Sequence, residues 1–151
     1  MANAQAMCTS FKSEILTATH NFGTAPIRAA TTADTFKAAL YLASGAQGAA
    51  TTAYSSTNEV TGTNYTAGGV TVTNATAPTT SGTTAYWTPS ASIVYTNVTL
   101  SVAFDAVLIY NSTQSNKAVS VHTFGSQTVT AGNFTLVMPT NAAGTALLNI
   151  A

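Results

Sequence analysis

From Asp34 to Ser44 the chain reads DTFKAALYLAS, placing Phe36, Ala38, Leu40 and Leu42 on one side of an extended backbone and Lys37, Ala39 and Tyr41 on the other. Both rows are nearly apolar, so the pattern predicts a strand covered on two sides. One row is expected to face the chain's own partner sheet, and Lys37, Ala39 and Tyr41 a neighbouring chain or a lightly polar surface. In GGVTVTNA, Val70 and Val72 alternate with Thr71 and Thr73, the signature of a half-buried strand. Further strands are predicted at TTAYWT, SIVYTNVTLSV, AFDAVLIYN, KAVSVHTF, NFTLVMP and TALLNI. VAFDAVLIYN is apolar on both faces and reads as a central strand, interrupted by Asp105, which is expected in a bend or at a subunit contact, accepting hydrogen bonds from backbone N–H groups. The intervening TAGG, APTTSG, NSTQSN, FGSQ, TAGN and TNAAG carry turn chemistry.

One segment has helical spacing. In SFKSEILTATHNFG, Phe11, Ile15, Ala18 and Phe22 recur on one face, Ser10 can cap the start, Glu14 sits in the first turn and Gly23 can end it. His20 is expected as a surface residue near the helix C-terminus. Short strands divided by turns, with no second helical pattern, exclude a parallel α/β sheet. The expected fold is all-β, an antiparallel, jelly-roll-like β-sandwich with one short N-terminal helix. Residues 10–151 form its single domain, with the helix over 10–22, and residues 1–9 form an N-terminal arm.

Composition sharpens this picture. Only 5% of the 151 residues are charged, against 46% hydrophobic, and the net charge is zero. Low charge with this much apolar content predicts a folded chain that leans toward association. About one residue in five is Thr. Its branched side chain suits a pleat, and its hydroxyl keeps an outer face wet without charge. Charged strand edges, the usual guard against edge pairing, are scarce. Lys12, Arg28, Lys37 and Lys117 are too scattered to neutralise a run of phosphates, so no nucleic-acid partner is expected. The opening MANAQAMCTS lacks a secretory pattern and no apolar run is long enough to span a bilayer, so a soluble protein with no membrane partner is expected. Sequons at Asn64, Asn74, Asn97, Asn111 and Asn133 follow from the Thr content. Cys8 has no cysteine to pair with in the chain and reads as a small buried or tail residue.

Candidate chemistry is thin. His20 and His122 have no metal-ligand spacing, and Glu14, Asp34, Glu59 and Asp105 form no paired-acid motif. A Ser, His122 and Asp105 triad has no G-x-S-x-G elbow to support it, and the TAGG and GAQG loops lack the Lys of a phosphate loop. No enzyme activity, cofactor or metal is expected. Trp87, Tyr86, Tyr95 and Tyr65 offer stacking faces for a sugar, although Trp87 and Tyr86 fit a core or an interface better.

A resemblance extends from Phe11 to the end. DTFKAALYLASGAQGAATTAYSSTNEVTGTNYTAGG and AVLIYNSTQSNKAVSVHTFGSQTVTAGNFTLVMP are similar to segments of small β-rich structural proteins of tailed bacteriophages. The resemblance implies a virion component, a capsid decoration or cement protein that binds the major capsid protein or other virion proteins as a homo-oligomer, with a trimer favoured. It supplies no catalytic residues. A tail or fibre subunit and a carbohydrate-binding host-attachment module are the alternatives. The expected contact residues are Met1, Ala2, Asn3, Met7, Tyr41 and Trp87, with the small-residue arm ordering on a partner.

Overall fold

The computed structural model describes residues 2–16, 19, 20, 22 and 33–151. Met1, Ala18, Gly23 and Arg28, each given a part in the sequence reading, lie outside them. The described chain is mainly antiparallel β-structure: β1 Ala6–Met7, α1 Thr9–Leu16, β2 Phe36–Leu42, β3 Val70–Thr71, β4 Thr79–Ser81, β5 Thr84–Trp87, β6 Ile93–Asn111, β7 Lys117–Leu136 and β8 Leu148–Ile150. One sheet has the order β1-β7-β6-β2-β3 and a second the order β4-β5-β8, with every pairing antiparallel.

β2 lies between β6 and β3 and is buried on both faces, as its two apolar rows require. Phe36, Ala38 and Leu40 face one side with Val107 and Ile109 of β6; Ala39 and Tyr41 face the other with Leu108 and Ala106. The covering of the second face corrects the sequence reading. Tyr41 is 0% exposed within the single chain, and its hydroxyl donates to the Ser55 carbonyl at 2.6 Å. No neighbouring chain is needed to bury it. The cover is the chain between β2 and β3, which pairs in passing with β2 (Tyr41↔Glu59), β7 (Ala53↔Lys117) and β6 (Thr63↔Thr99). Such a path has little local periodicity, because each short stretch docks on a different strand.

The described residues of the 1–9 segment, expected as an arm apart from the domain, are bonded into it. β1 pairs with β7 through Ala6↔Val121 and Met7↔Ser120. Asn3 donates through Nδ2 to the Leu42 carbonyl (3.0 Å) and to Asp105 Oδ1 (2.6 Å), and its Oδ1 accepts from the Gln47 backbone N–H (2.8 Å). Cys8 is fully buried. α1 begins one residue before Ser10, and Thr19, His20 and Phe22 are not helical, so the expected helix over 10–22 is shorter; Glu14 lies beyond its first turn. Removing residues 1–7 is therefore expected to destabilise the domain by about 2 kcal/mol, because the Asn3 bonds and the β1 ladder are lost together. Urea unfolding of the truncated chain checks this; an unchanged midpoint would mean that the segment adds nothing to the fold.

β6 and β7 form one long hairpin, and here several expected turns become bulges. FGSQ and TAGN lie inside β7, and SIVYTNVTLSV and AFDAVLIYN form the single strand β6. The register shifts between Tyr95 and Val98, Val98 and Leu100, Leu100 and Phe104, and Phe104 and Ala106. Asn97 and Ala131 take left-handed φ values of 50° and 46°. Side chains secure these kinks: Asn133 Oδ1 accepts from the Asn97 N–H (2.8 Å), and Thr99 Oγ1 from the Ala131 N–H (3.1 Å). Small polar residues thus serve a bulge as readily as a turn. APTTSG likewise supplies part of β4 before the hairpin turn at Gly82.

Trp87 ends β5 at the contact between the small sheet and the large one. It is 2% exposed, its ring lies 6.0 Å from Phe36 and 4.8 Å from Phe22, and its Nε1 donates to the Thr76 carbonyl at 2.8 Å. Its place is the core, where indole burial and a satisfied N–H go together.

Candidate functional site

Three polar clusters hold most of the chain's titratable groups. The first centres on Glu59, 6% exposed, in the segment covering β2. Its Oε1 accepts from the Tyr65 hydroxyl (2.7 Å) and the Gly68 backbone N–H (2.7 Å), and its Oε2 from the Tyr54 hydroxyl (2.6 Å). The Tyr65 oxygen also accepts from the Leu40 N–H (3.0 Å), while the Tyr95 hydroxyl donates to the Ala38 carbonyl (2.8 Å) and that of Tyr110 to the Gly68 carbonyl (2.8 Å). Tyr65 and Tyr95 thus bond backbone groups of β2, and Tyr110 bonds the covering segment at Gly68. Burial first, and the Glu59 charge after it, raise the pKa of Tyr54, Tyr65 and Tyr95 and push that of Tyr110 up to about 12. With its acceptor positions occupied by the protein, this cluster is a clamp and not a reactive centre.

The second cluster joins α1, β6 and β7. Glu14 accepts from Lys117 Nζ at 2.6 Å through Oε1 and meets His20 Nε2 at 2.7 Å through Oε2. Asn111 is fully buried; its Nδ2 lies 3.1 Å from His20 Nδ1 and donates to Asp34 Oδ2 at 2.8 Å. Gln114 Nε2 donates to Asp34 Oδ1 at 3.2 Å. Burial tends to raise the Glu14 pKa, but the bonds and charges of Lys117 and His20 outweigh it and lower the value. His20, expected at the surface, has a side chain only 1% exposed. Its exposure was misjudged because Phe11 and Phe22 of its own stretch close on the ring together with Phe36 of β2.

The third cluster is small. His122 Nε2 lies 2.9 Å from Ser120 Oγ, and burial depresses its pKa to about 4. His122 lines an open apolar groove of about 430 Å³ with Val107, Phe124, Phe134, Leu136 and Met138. Ser120 is only 1% exposed, which leaves its hydroxyl poorly placed to attack a substrate. Asp105 is engaged by Asn3 at 2.6 Å, so the considered triad is not drawn together by the hydrogen bonds of these residues. The Asp105 partner is a side-chain amide, whereas backbone donors were expected. Among the described residues, no three His, Cys, Asp or Glu side chains converge as a metal ion would require. Burial, with Glu14 adding, pushes the Cys8 thiol up to about 11, which leaves it unreactive at neutral pH.

The expected contact residues do not converge. Met1 lies outside the described residues, Ala2 is exposed, Met7 is half-buried against the core, Asn3 bridges to Asp105 and Leu42, and Tyr41 and Trp87 are buried on β2 and β5. Asn64 donates to the Asn97 carbonyl at 2.8 Å and Asn111 is fully buried, so sequon asparagines also have structural duties. Sequence reasoning missed Glu59 and His20. The accessible signal was a lone acid between tyrosines, YSSTNEVTGTNY, in a chain with very few acids. Among the described residues no helix is long and apolar enough to cross a membrane. No protein-family model matches the chain, and no curated protein or solved structure is significantly similar to it.

Proposed function

We propose that this protein is a bacteriophage virion structural protein, a capsid decoration or cement protein that acts as a homo-oligomer on a lattice of major capsid protein. The observation that carries the reading is the outer half of the β6–β7 hairpin. There the chain exposes Val94 and Val102, followed just beyond β7 by Val137 at 78% exposure, and no Lys, Arg, Asp or Glu follows Lys117. An uncharged β-surface of Thr and Val has little to hold a small polar substrate. It can press against another polypeptide without desolvating charge. Copies on a lattice multiply modest contacts by avidity. The resemblance to small phage structural proteins points the same way, and the jelly-roll-like sandwich belongs to this proposal, with the β4-β5-β8 sheet as its second layer.

The contact surface proposed is the hairpin in place of the N-terminal segment and Tyr41, which the domain uses for itself. The sugar-binding alternative loses ground for the same reason: Trp87 and Tyr95 are almost fully buried. Cryo-electron microscopy of the particle is the test. Density for this chain at repeated positions on the head is expected, and Val102→Glu is expected to lower its occupancy about tenfold with the fold unchanged by circular dichroism. Density confined to the tail would favour a tail or fibre subunit, and absence from the particle would overturn the virion reading.

A further inference from the structure

The hydrogen bonds of Asn111 determine the protonation state of His20. Asn111 Oδ1 accepts from the backbone N–H groups of Thr113 and Gln114, both at 3.1 Å. The amide is thereby oriented, and its Nδ2 is the atom that meets His20 Nδ1 at 3.1 Å and Asp34 Oδ2 at 2.8 Å. His20 Nδ1 must accept, so the ring carries its proton on Nε2 and donates to Glu14 Oε2 at 2.7 Å. An imidazolium would place a second donor at Nδ1 against the amide donor. Turning the amide would break the two backbone bonds and the bond to Asp34, so relief is easier by departure of the ring.

Aromatic contacts hold the ring and its neighbour as well. Phe22 follows it and stacks on Phe36 at 4.5 Å and against Trp87 at 4.8 Å, while Phe11 of α1 lies 4.8 Å from the imidazole. Among the described residues, the charged groups facing His20 are Glu14 of α1, Asp34 before β2 and Lys117 of β7; β6 presents the neutral Asn111. We propose that His20 is an acid-released latch: neutral, it ties Glu14 of α1 to Asn111 at the end of β6, and protonated, it leaves Asn111 and lets Phe22 lift from Phe36 and Trp87. Burial lowers the His20 pKa and outweighs Glu14 and Asp34, which raise it, while Lys117 lowers it further. The sign follows. The closed state disfavours the proton, so the latch is fully held above the ordinary histidine value of about 6.5 and weakens as pH falls below it, by about tenfold in the opening constant per pH unit.

Amide hydrogen exchange on the intact chain from pH 7 to pH 5, corrected for intrinsic rates, tests the latch. Opening of residues 9–16, 19, 20 and 22 is expected to rise about tenfold per unit below pH ~6.5, with β6 residues 106–110 still protected. His20→Gln should abolish that rise and His122→Gln should leave it. Should His20→Gln fail to fold, nitrogen-15 NMR of the unaltered protein decides: an Nε2–H tautomer titrating below about 6.5 supports the latch. An Nδ1–H tautomer, titration at or above that value, pH-independent protection, or the same rise in His20→Gln would overturn it.

Discussion

Replacing Glu59 by alanine is expected to cost about 3–4 kcal/mol, because two tyrosine hydroxyls and one backbone N–H lose their buried acceptor in a single step. The carboxylate gathers Tyr54, Tyr65 and Gly68 from three points of the segment that covers β2. Its removal therefore loosens the lid over Tyr41 and Tyr110 as well as the bonds themselves. Glu59→Gln should cost less, since one amide oxygen still accepts and a tyrosine hydroxyl can rotate to receive from the amide nitrogen. Tyr54→Phe and Tyr65→Phe should each cost about 1–2 kcal/mol in the native background and much less once Glu59 is alanine. Urea denaturation of these variants and their double mutants supplies the coupling energies. Additive losses would show that the three groups do not act as one clamp.

Gly69→Ala is expected to be more disruptive for its size, with a loss above about 3 kcal/mol. Gly69 has φ +70°, and a Cβ there would meet the Ala38 carbonyl oxygen at 1.7 Å. Both partners are backbone at the start of the β2–β3 pair, Gly69 immediately preceding β3, so the strands must separate to admit a methyl group. The adjoining Gly68 N–H would then be drawn off Glu59. Gly82→Ala is the control: φ is +56° but nothing lies within 4 Å of the added atom, so only the left-handed strain of about 1–2 kcal/mol applies. Thermal unfolding should separate the two by several degrees, at roughly 2–4 °C per kcal/mol for a chain of this size. Equal shifts would show that the close approach to Ala38 is not decisive.

Much of the all-β architecture was legible because alternation is a local property. Val70 and Val72 point inward as their pattern requires, and β6 from Ala106 to Asn111 is buried on both faces. The errors cluster where one signal serves two structures. Gly, Ser and Asn mark turns and bulges alike, so FGSQ and TAGN divided a strand that runs unbroken from Lys117 to Leu136. An opening rich in small residues resembles a free arm, yet Ala6 and Met7 find an open edge of β7.

The candidate clusters were less legible than the fold. Glu59 and His20 stood in the sequence as isolated titratable residues, and isolation along the chain says nothing of isolation in space. Asn111 reaches Asp34 across 77 positions, and Lys117 reaches Glu14 across 103. Neither pair leaves a spacing that a motif could capture.

The sequence by itself determined a neutral, threonine-rich chain of antiparallel strands, with β2 and the end of β6 covered on both sides, since side-chain polarity records how much water each position can tolerate. Only the tertiary structure decided what does the covering: the segment between β2 and β3, pinned by Glu59, over Tyr41, and His20 and Phe22 over Phe36. Polarity specifies burial and leaves the burying partner open, because that choice depends on which distant segments can close over the sheet and satisfy its edge.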